Sequence, residues 1–250
     1  MKDYKLLVVL ITYNRLAYTK RTLRAFWDTI SYPYYLVVVD NASTDGTVDY
    51  LQKVKKRGKI DKLILNPDNY YPGAATNLGW QYGLEEYPTA THLMRLDNDM
   101  HLEKGWDSAA LDYFRKIPSM GQIGIEHEAI ENRLADGHEV TLNGKTFNKF
   151  PGNVGGPNII SRLVWDKGLH YNVDKWDSFG YGKPTPQEDV AFSRAIQNAG
   201  FLMGHMTERL AWTFATKDNW HEFPEYYKKT MSERGYDKLI EEVLGEKGTN

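Results

Sequence analysis

The stretch Leu93-Met94-Arg95-Leu96-Asp97-Asn98-Asp99 passes from an apolar segment directly into three polar residues. The apolar part predicts a strand that arrives from the protein interior, and Asp97 and Asp99 follow its end. Two carboxylates at i and i+2 can converge on one hard cation. Mg²⁺ is usually held by one or two carboxylates together with substrate phosphates. The pattern therefore suggests a nucleotide-diphosphate site, although the same residues also suit an acidic turn in solvent.

The first half of the chain alternates strands and helices in the same way. Apolar runs predict four strands, at residues 6–11, 35–39, 60–65 and 92–96. Helical spacing and caps predict three helices, at residues 16–29, 45–57 and 72–86. This alternation is typical of a parallel sheet with right-handed crossovers, in which ligands bind beyond the carboxyl ends of the strands. Polar residues lie at those ends, at residues 12–15, 40–45 and 97–99.

The second half is less regular. Strands are predicted at residues 123–125, 201–206 and 210–214, and helices at 188–199 and 223–245. Residues 131–150 suggest a hairpin or an excursion, with turns at Asp136-Gly137 and Asn143-Gly144. A glycine-rich loop covers residues 152–156, and the loop at 170–186 has a length that usually carries function.

Composition excludes several classes of function. The 250 residues suit one large domain or two small ones, and a net charge of −2 gives no whole-chain electrostatic case for nucleic acid or an anionic membrane. A local basic patch that binds an anionic partner is still compatible with this composition. The lack of cysteine excludes disulfides and thiolate metal sites. The apolar run at residues 6–11 is too short for a signal peptide or a membrane span, which predicts a cytoplasmic protein.

Four segments resemble, in chain order, the GT-A-fold family 2 glycosyltransferases. They are residues 9–15, 37–46, 69–79 and 186–189, and the resemblance spans about residues 5–214. It implies an inverting, metal-dependent transferase that uses nucleotide-diphosphate sugars. The implied fold is a Rossmann-like, mostly parallel central sheet flanked by helices, with a smaller antiparallel acceptor-side region. We expect one domain, with a nucleotide-sugar half at 1–100, an acceptor and catalytic half at 101–215, and a C-terminal helical segment at 216–250.

The resemblance also implies donor-binding residues. These are Thr12, Asn14, Arg15, Asp40, Asn41, Ser43, Asn69, Gly73, Asn77, Asp97 and Asn98. Asp40 is expected to accept the N3–H of uracil, which favours a UDP-sugar; the alternative is that Asp40 and Ser43 cap the next helix. The alternative to donor binding is a solvated surface charge for Arg15 and a surface amide for Asn77. For Gly73 the alternative is an ordinary turn glycine.

The expected catalytic groups are carboxylates. Asp99 should bind Mn²⁺ or Mg²⁺ directly, and Asp97 should reach the ribose, or the metal through water. Asp189 should be the general base that deprotonates the acceptor hydroxyl, although Glu188 and Asp189 also suit the first turn of a helix. Arg95 is expected to be a buried ion-pair partner rather than a ligand.

The sequence departs from the family pattern at two places. Tyr71 stands where many relatives have glycine, and Trp212-Thr213 fall where many carry a metal-binding histidine. His221 is the preferred replacement, because His205 lies within a strand, where a core role is more common. The alternative is a metal held only by Asp99, diphosphate and water.

Acceptor recognition is less clearly encoded. Gly155, Gly156, Trp176 and Glu188 resemble the acceptor side, whereas Trp165 and Trp212 suit the core as well as a sugar face. A glycan, a lipid carrier, a protein or a modified nucleic acid remains open as acceptor, and so does the oligomeric state. Two other functions stay open: a sugar-nucleotide pyrophosphorylase, disfavoured because residues 12–15 lack glycine, and a binding protein that has lost catalysis, disfavoured because Asp99 and Asp189 are both present.

Overall fold

The structure is a computed structural model that describes residues 4–126, 139–149, 154–172, 176–177, 185–186, 188–233 and 235–245. Its strands are β1 (Leu6–Thr12), β2 (Tyr34–Asn41), β3 (Lys62–Asn66), β4 (His92–Asp97), β5 (Met100–Leu102), β6 (Met120–Gly124), β7 (Glu139–Leu142), β8 (Lys145–Asn148), β9 (Asn158–Ser161), β10 (Trp176–Asp177), β11 (Thr185–Pro186), β12 (Leu202–Met206) and β13 (Ala211–Thr213). Its α-helices are α1 (Leu16–Thr29), α2 (Thr47–Lys56), α3 (Tyr71–Glu86), α4 (Trp106–Lys116), α5 (Arg162–Asp166), α6 (Glu188–Asn198), α7 (Pro224–Glu233) and α8 (Asp237–Leu244). A 3₁₀ helix covers Lys217–Glu222.

A mixed sheet forms the centre of the fold. Among the described residues it has nine strands, in the order β3-β2-β1-β4-β9-β6-β12-β8-β7. The first four strands in this order pair in parallel, whereas β9 is antiparallel to both of its neighbours, β4 and β6. Two small antiparallel pairs, β5 with β13 and β10 with β11, lie outside this sheet.

The central strands are buried on both faces because helices cover both sides of the sheet. In β1, Val8 and Leu10 belong to one apolar cluster, whereas Val9 and Ile11 belong to the other. The first cluster includes buried residues of α1, α2 and α4, and the second includes those of α3, α5 and α6. Burial on both faces explains why the strand sequences are continuous apolar runs rather than alternating ones.

The four strands and three helices predicted for the first half are confirmed, with small shifts at their ends. The hairpin β7–β8 confirms the turn at Asn143-Gly144, where both residues have positive φ. The turn predicted at Asp136-Gly137, the beginning of the glycine-rich loop at 152–156 and most of the loop at 170–186 lie outside the described residues.

The single helix predicted over residues 223–245 was wrong. The chain forms two helices, α7 and α8, because Gly235 adopts a left-handed φ of 83° that ends α7. The sequence pattern also gave no indication of β5, α4 or α5. No helix within the described residues is long and apolar enough to cross a membrane.

Candidate active site

Three polar loops meet at one edge of the sheet because their parallel strands end in register. Thr12 at the end of β1 pairs with Asp40 at the end of β2. Ile11, one residue earlier in β1, pairs with Asp97 at the end of β4. The residues that follow these strand ends therefore lie side by side, as the sequence pattern predicts.

The first two loops are locked together around the Asp40 carboxylate. Asp40 Oδ2 accepts hydrogen bonds from Thr12 Oγ1 at 2.7 Å and from Ser43 Oγ at 2.6 Å, and Oδ1 accepts one from the Ser43 backbone N–H at 2.8 Å. The Ser43 hydroxyl in turn accepts the Asn14 backbone N–H at 2.7 Å. Asp40 is only 1% exposed, so its carboxylate holds this corner of the site together, and helix α2 begins without a side-chain cap from it.

The backbone at this edge is strained. Asn14, Arg15, Ala42 and Tyr71 all have φ between 53° and 62°, in the left-handed region that residues with a Cβ rarely adopt. Each lies in or next to a loop between a strand and a helix at the carboxyl edge. Such strain persists only where the surrounding structure enforces it, and it concentrates at functional sites.

The first carboxylate of the acidic motif is paired with Arg95. Arg95 Nε lies 3.1 Å from Asp97 Oδ1, and a second guanidinium nitrogen lies 3.4 Å from Oδ2. The Arg95 side chain is 6% exposed, whereas that of Asp97 is 25% exposed and so remains open to a ligand. The prediction that Arg95 is a buried ion-pair partner is confirmed.

The same guanidinium holds Asp189. Arg95 Nη1 lies 2.6 Å from Asp189 Oδ1 at the start of α6. Its cation also lies 5.5 Å from the centroid of the Tyr171 ring. Although burial favours the neutral form, Asp189 and Asp97 hold the pKa of Arg95 well above its ordinary value. One buried cation therefore joins the acidic motif to the expected catalytic base.

The second carboxylate of the motif is paired with Arg15. Arg15 Nη1 donates to Asp99 Oδ2 at 2.8 Å, and Nη2 donates to Asn98 Oδ1 at 2.8 Å. The Asn98 amide group donates to the Asn14 carbonyl and to Thr19 Oγ1, each at 3.0 Å. Asn98 is thus engaged inside the protein, and Asp99 keeps its other oxygen, Oδ1, for a further ligand.

Glu188 joins the two halves of the site. Its Oε2 accepts the backbone N–H of Gly73, in the first turn of α3, at 2.5 Å. A Cβ on Gly73 would lie 2.6 Å from the Glu188 carboxyl carbon, so glycine is required for this approach. Burial raises the pKa of Glu188 to about 7, against the lowering effects of Arg95 and the Gly73 N–H.

The glycines expected on the acceptor side lie against the carboxylates. A Cβ on Gly156 would collide with Asp97 Oδ2 and with the Arg95 guanidinium. A Cβ on Gly155 would lie 3.9 Å from Asp189 Oδ2. The structure therefore brings both glycines to the expected base, Asp189, and to the acidic motif. The Trp176 side chain lies outside the described residues.

Three asparagines predicted to bind the donor have partners within the protein. The Asn77 amide donates to the Tyr171 carbonyl at 2.9 Å and accepts the Tyr171 N–H at 3.1 Å. Asn69 Oδ1 accepts the Tyr71 N–H at 3.1 Å, and Asn41 Oδ1 accepts from Asn66 at 2.8 Å. These amides fix the loops around the site, and their contact with the donor stays a prediction.

The residues present fit a hard cation. Within the ranges that the structure describes, no three His, Asp or Glu side chains cluster as metal ligands. Asp99 Oδ1 and the partly exposed Asp97 nevertheless provide the oxygen donors that Mn²⁺ or Mg²⁺ takes when substrate phosphate and water complete its shell. His221 is exposed on the 3₁₀ helix, and Trp212 stacks on His101 with ring centroids 4.3 Å apart.

Sequence reasoning missed the tyrosines that surround the two arginines. Tyr171 is buried beneath Arg95, and its hydroxyl accepts a hydrogen bond from Asn158 at 3.0 Å. Tyr226 and Tyr227 of α7 contact Arg15. Adjacent tyrosines on a charged C-terminal segment do not by themselves indicate a functional site. Their contact with Arg15 joins residues more than 200 positions apart, which no local sequence pattern reveals.

Comparison with known proteins identifies the family. The sequence profile described as "Glycosyl transferase family 2" matches residues 7–163, which is more than half of the chain. The chain belongs to glycosyltransferase family 2. The matched region includes the loops after β1, β2 and β4, and α6 with Asp189 follows it. No curated protein sequence matches the chain significantly.

Solved structures of GT-A glycosyltransferases share the fold. Mannosyltransferase PcManGT from Pyrobaculum calidifontis, in complex with GDP-Man and Mn²⁺, aligns with a TM-score of 0.64 and 15% identity over 96% of this chain and 68% of that one. S. aureus TarS 1-349 with UDP aligns with a TM-score of 0.58 and 16% identity over 96% and 70%. GalNAc-T7 with UDP, GalNAc and Mn²⁺ aligns with a TM-score of 0.60 and 14% identity over 97% and 55%. The predicted GT-A architecture is therefore confirmed, and the chain is a glycosyltransferase by family.

Proposed function

We propose that this glycosyltransferase moves a sugar from a nucleotide-diphosphate donor, preferably a UDP-sugar, to an acceptor hydroxyl with inversion at the anomeric carbon and with Mn²⁺ or Mg²⁺. One observation carries the proposal. The acidic motif at the end of β4 and Asp189 at the start of α6 share one buried guanidinium, that of Arg95. Donor-side and acceptor-side carboxylates are thereby held at one place.

Asp189 is the proposed general base. Arg95 holds Oδ1, and Oδ2 lies 3.9 Å from the position of a Cβ added to Gly155, a residue that presents no side chain to an acceptor. The Asp189 side chain is 31% exposed, so an acceptor hydroxyl can reach it. A base within hydrogen-bond reach takes the hydroxyl proton as the oxygen attacks the anomeric carbon. One base and one displacement give an inverted product.

Asp99 and Asp97 are the proposed metal ligands, and His221 stays a prediction as a third one. A divalent cation bound here supplies Lewis-acid stabilisation of the departing diphosphate. The chain's own contribution is to fix both carboxylates beside the loops that face the nucleotide. The relatives solved with GDP-Man and Mn²⁺, or with UDP and Mn²⁺, support this type of site.

UDP preference is the part of the proposal that depends on Asp40. Its carboxylate already accepts three hydrogen bonds and is almost fully buried. A carboxylate has about four lone-pair sites, so it can accept one more N–H at the mouth of the loop. Cytosine has an acceptor in place of the N3–H, and guanine carries its ring N–H on a larger, two-ring base, so neither base matches uracil at that position.

A donor panel tests the proposal. Common UDP-, GDP-, CDP- and dTDP-sugars would be incubated with the chain and Mn²⁺, and release of nucleoside diphosphate would be measured with and without excess EDTA. Metal-dependent release from a UDP-sugar supports the proposal. Exchange of pyrophosphate would identify a pyrophosphorylase, and nucleotide binding without any release would identify a binding protein. With a glycosylated product in hand, NMR of its anomeric proton decides between inversion and retention.

A further inference from the structure

Both carboxylates of the acidic motif are paired with buried arginines. Asp97 shares Arg95 with Asp189, whereas Asp99 is paired with Arg15. The Asp99 side chain is 15% exposed, and that of Arg15 is 9% exposed. A hard cation that approaches Asp99 without another anion therefore meets a guanidinium charge already fixed on that carboxylate.

The C-terminal helix α7 holds the Arg15 guanidinium in place. The Tyr226 ring centroid lies 4.4 Å from the Arg15 guanidinium carbon, and the Tyr227 hydroxyl lies 3.4 Å from Nη1. Tyr227 in turn stacks on Trp220, with ring centroids 4.9 Å apart. The Tyr226 ring and the Tyr227 hydroxyl favour the cation, and both help to fix the guanidinium beside Asp99.

Electrostatics gives Arg15 a direct effect on metal affinity. A divalent cation on Asp99 Oδ1 and the guanidinium on Oδ2 would share one carboxylate, and like charges at that spacing repel strongly at the effective dielectric of a protein surface. A nucleoside diphosphate brings two or more negative charges to the same place. The negative charge of Asp99 is already balanced by Arg15. The phosphates therefore supply the negative charge that balances the metal ion.

We propose that Arg15 makes metal binding conditional on the nucleoside diphosphate: Mn²⁺ or Mg²⁺ binds weakly to the chain alone and tightly only together with the diphosphate. The inference rests on the proposed function for the identity of the site. It assigns to Arg15 a positioning and gating role toward the metal, in place of the direct contact with base or diphosphate that the sequence predicts. It also gives the C-terminal segment a function, since α7 keeps the guanidinium on Asp99.

Mn²⁺ binding measured by electron paramagnetic resonance tests this inference without turnover. In the wild type, Mn²⁺ should bind at least about tenfold more tightly with saturating UDP than alone. In Arg15→Met, binding of Mn²⁺ alone should tighten by roughly 10- to 100-fold, because the repulsion is removed. The gap between the two conditions should therefore shrink. If Arg15→Met does not fold by circular dichroism, Arg15→Gln keeps a donor to Asp99 and removes the charge.

Arg21→Met is the matched control. Arg21 lies on α1, the helix that begins directly after Arg15, and pairs with Glu222 at 3.2 Å on the surface. Its removal deletes a nearby positive charge that does not contact the acidic motif and should leave Mn²⁺ affinity unchanged. Unchanged or weaker binding of Mn²⁺ alone in the folded Arg15 variant would overturn the inference, as would equal Mn²⁺ affinity of the wild type with and without UDP and GDP.

The inference and the proposed function fail separately. Coupled binding of Mn²⁺ and nucleotide without release of nucleoside diphosphate from any sugar donor would contradict the proposed function alone. Metal-dependent release combined with Mn²⁺ affinity that does not respond to Arg15 would contradict the inference alone.

Discussion

Substitution of Glu188 by glutamine should change how the stability of the protein depends on pH. Burial raises the pKa of this carboxyl from its ordinary 4.5 to about 7. Between these values the folded chain keeps a proton that the unfolded chain has lost, so the free energy of unfolding falls as pH rises. Each pH unit between the two pKa values corresponds to about 1.4 kcal/mol, and ionised Glu188 therefore costs the folded chain about 3 kcal/mol above pH 7.

Glutamine stays neutral at every pH, and its carbonyl oxygen still accepts the Gly73 N–H. The difference in unfolding free energy between Glu188→Gln and the wild type should therefore shift in favour of the variant by about 2.5 kcal/mol from pH 5 to pH 8, of which about 2 kcal/mol appears between pH 5 and 7. Urea unfolding in EDTA at several pH values measures it. Glu85→Gln, at an exposed position on α3, is the matched control and should show no such shift. A difference for Glu188→Gln that is constant within about 0.5 kcal/mol over this range would refute the reasoning.

Other predictions address the remaining parts of the site. Excess EDTA should abolish transfer, and Mn²⁺ or Mg²⁺ should restore it; full activity in metal-free enzyme would contradict the metal assignment. UDP should bind more tightly than GDP or CDP by calorimetry, and Asp40→Ala should shrink that gap; equal wild-type affinities would count against the uracil contact. Gly156→Ala should force Asp97 and Arg95 apart and destabilise the fold by about 1–3 kcal/mol, because the added Cβ would collide with Asp97 Oδ2 and the Arg95 guanidinium. If Gly156→Ala is no less stable than the wild type, the close packing of this pair is wrong.

The positions of the site residues along the strands could be predicted because strand ends are visible in the sequence. Continuous apolar runs end at Thr12, Asp40 and Asp97, and parallel pairing brings these ends together. The resemblance to the family added Asp189, which the structure ties to Asp97 through Arg95.

The partners of the site residues could not be predicted. Arg15 and Asp99 are 84 positions apart, and Asn77 and Tyr171 are 94 apart. Which side chain meets which depends on how helices and loops pack on the sheet, and no local pattern records that packing. The C-terminal segment divides into α7 and α8 because Gly235 adopts a left-handed backbone conformation. The spacing of apolar residues along the segment does not reveal that conformation.

The role of Asp189 as general base is decided by the rate at which Asp189→Asn releases nucleoside diphosphate from the best sugar donor. Asparagine serves at the start of a helix about as well as aspartate, but it cannot take a proton. Turnover should fall by about 10²- to 10⁴-fold, while UDP affinity stays close to that of the wild type. The melting temperature should fall, because the buried Arg95 loses one of its two ionised partners, but the variant should stay folded at the assay temperature. Turnover near the wild-type level in a folded, UDP-binding Asp189→Asn variant would contradict the assignment of this site as the catalytic centre.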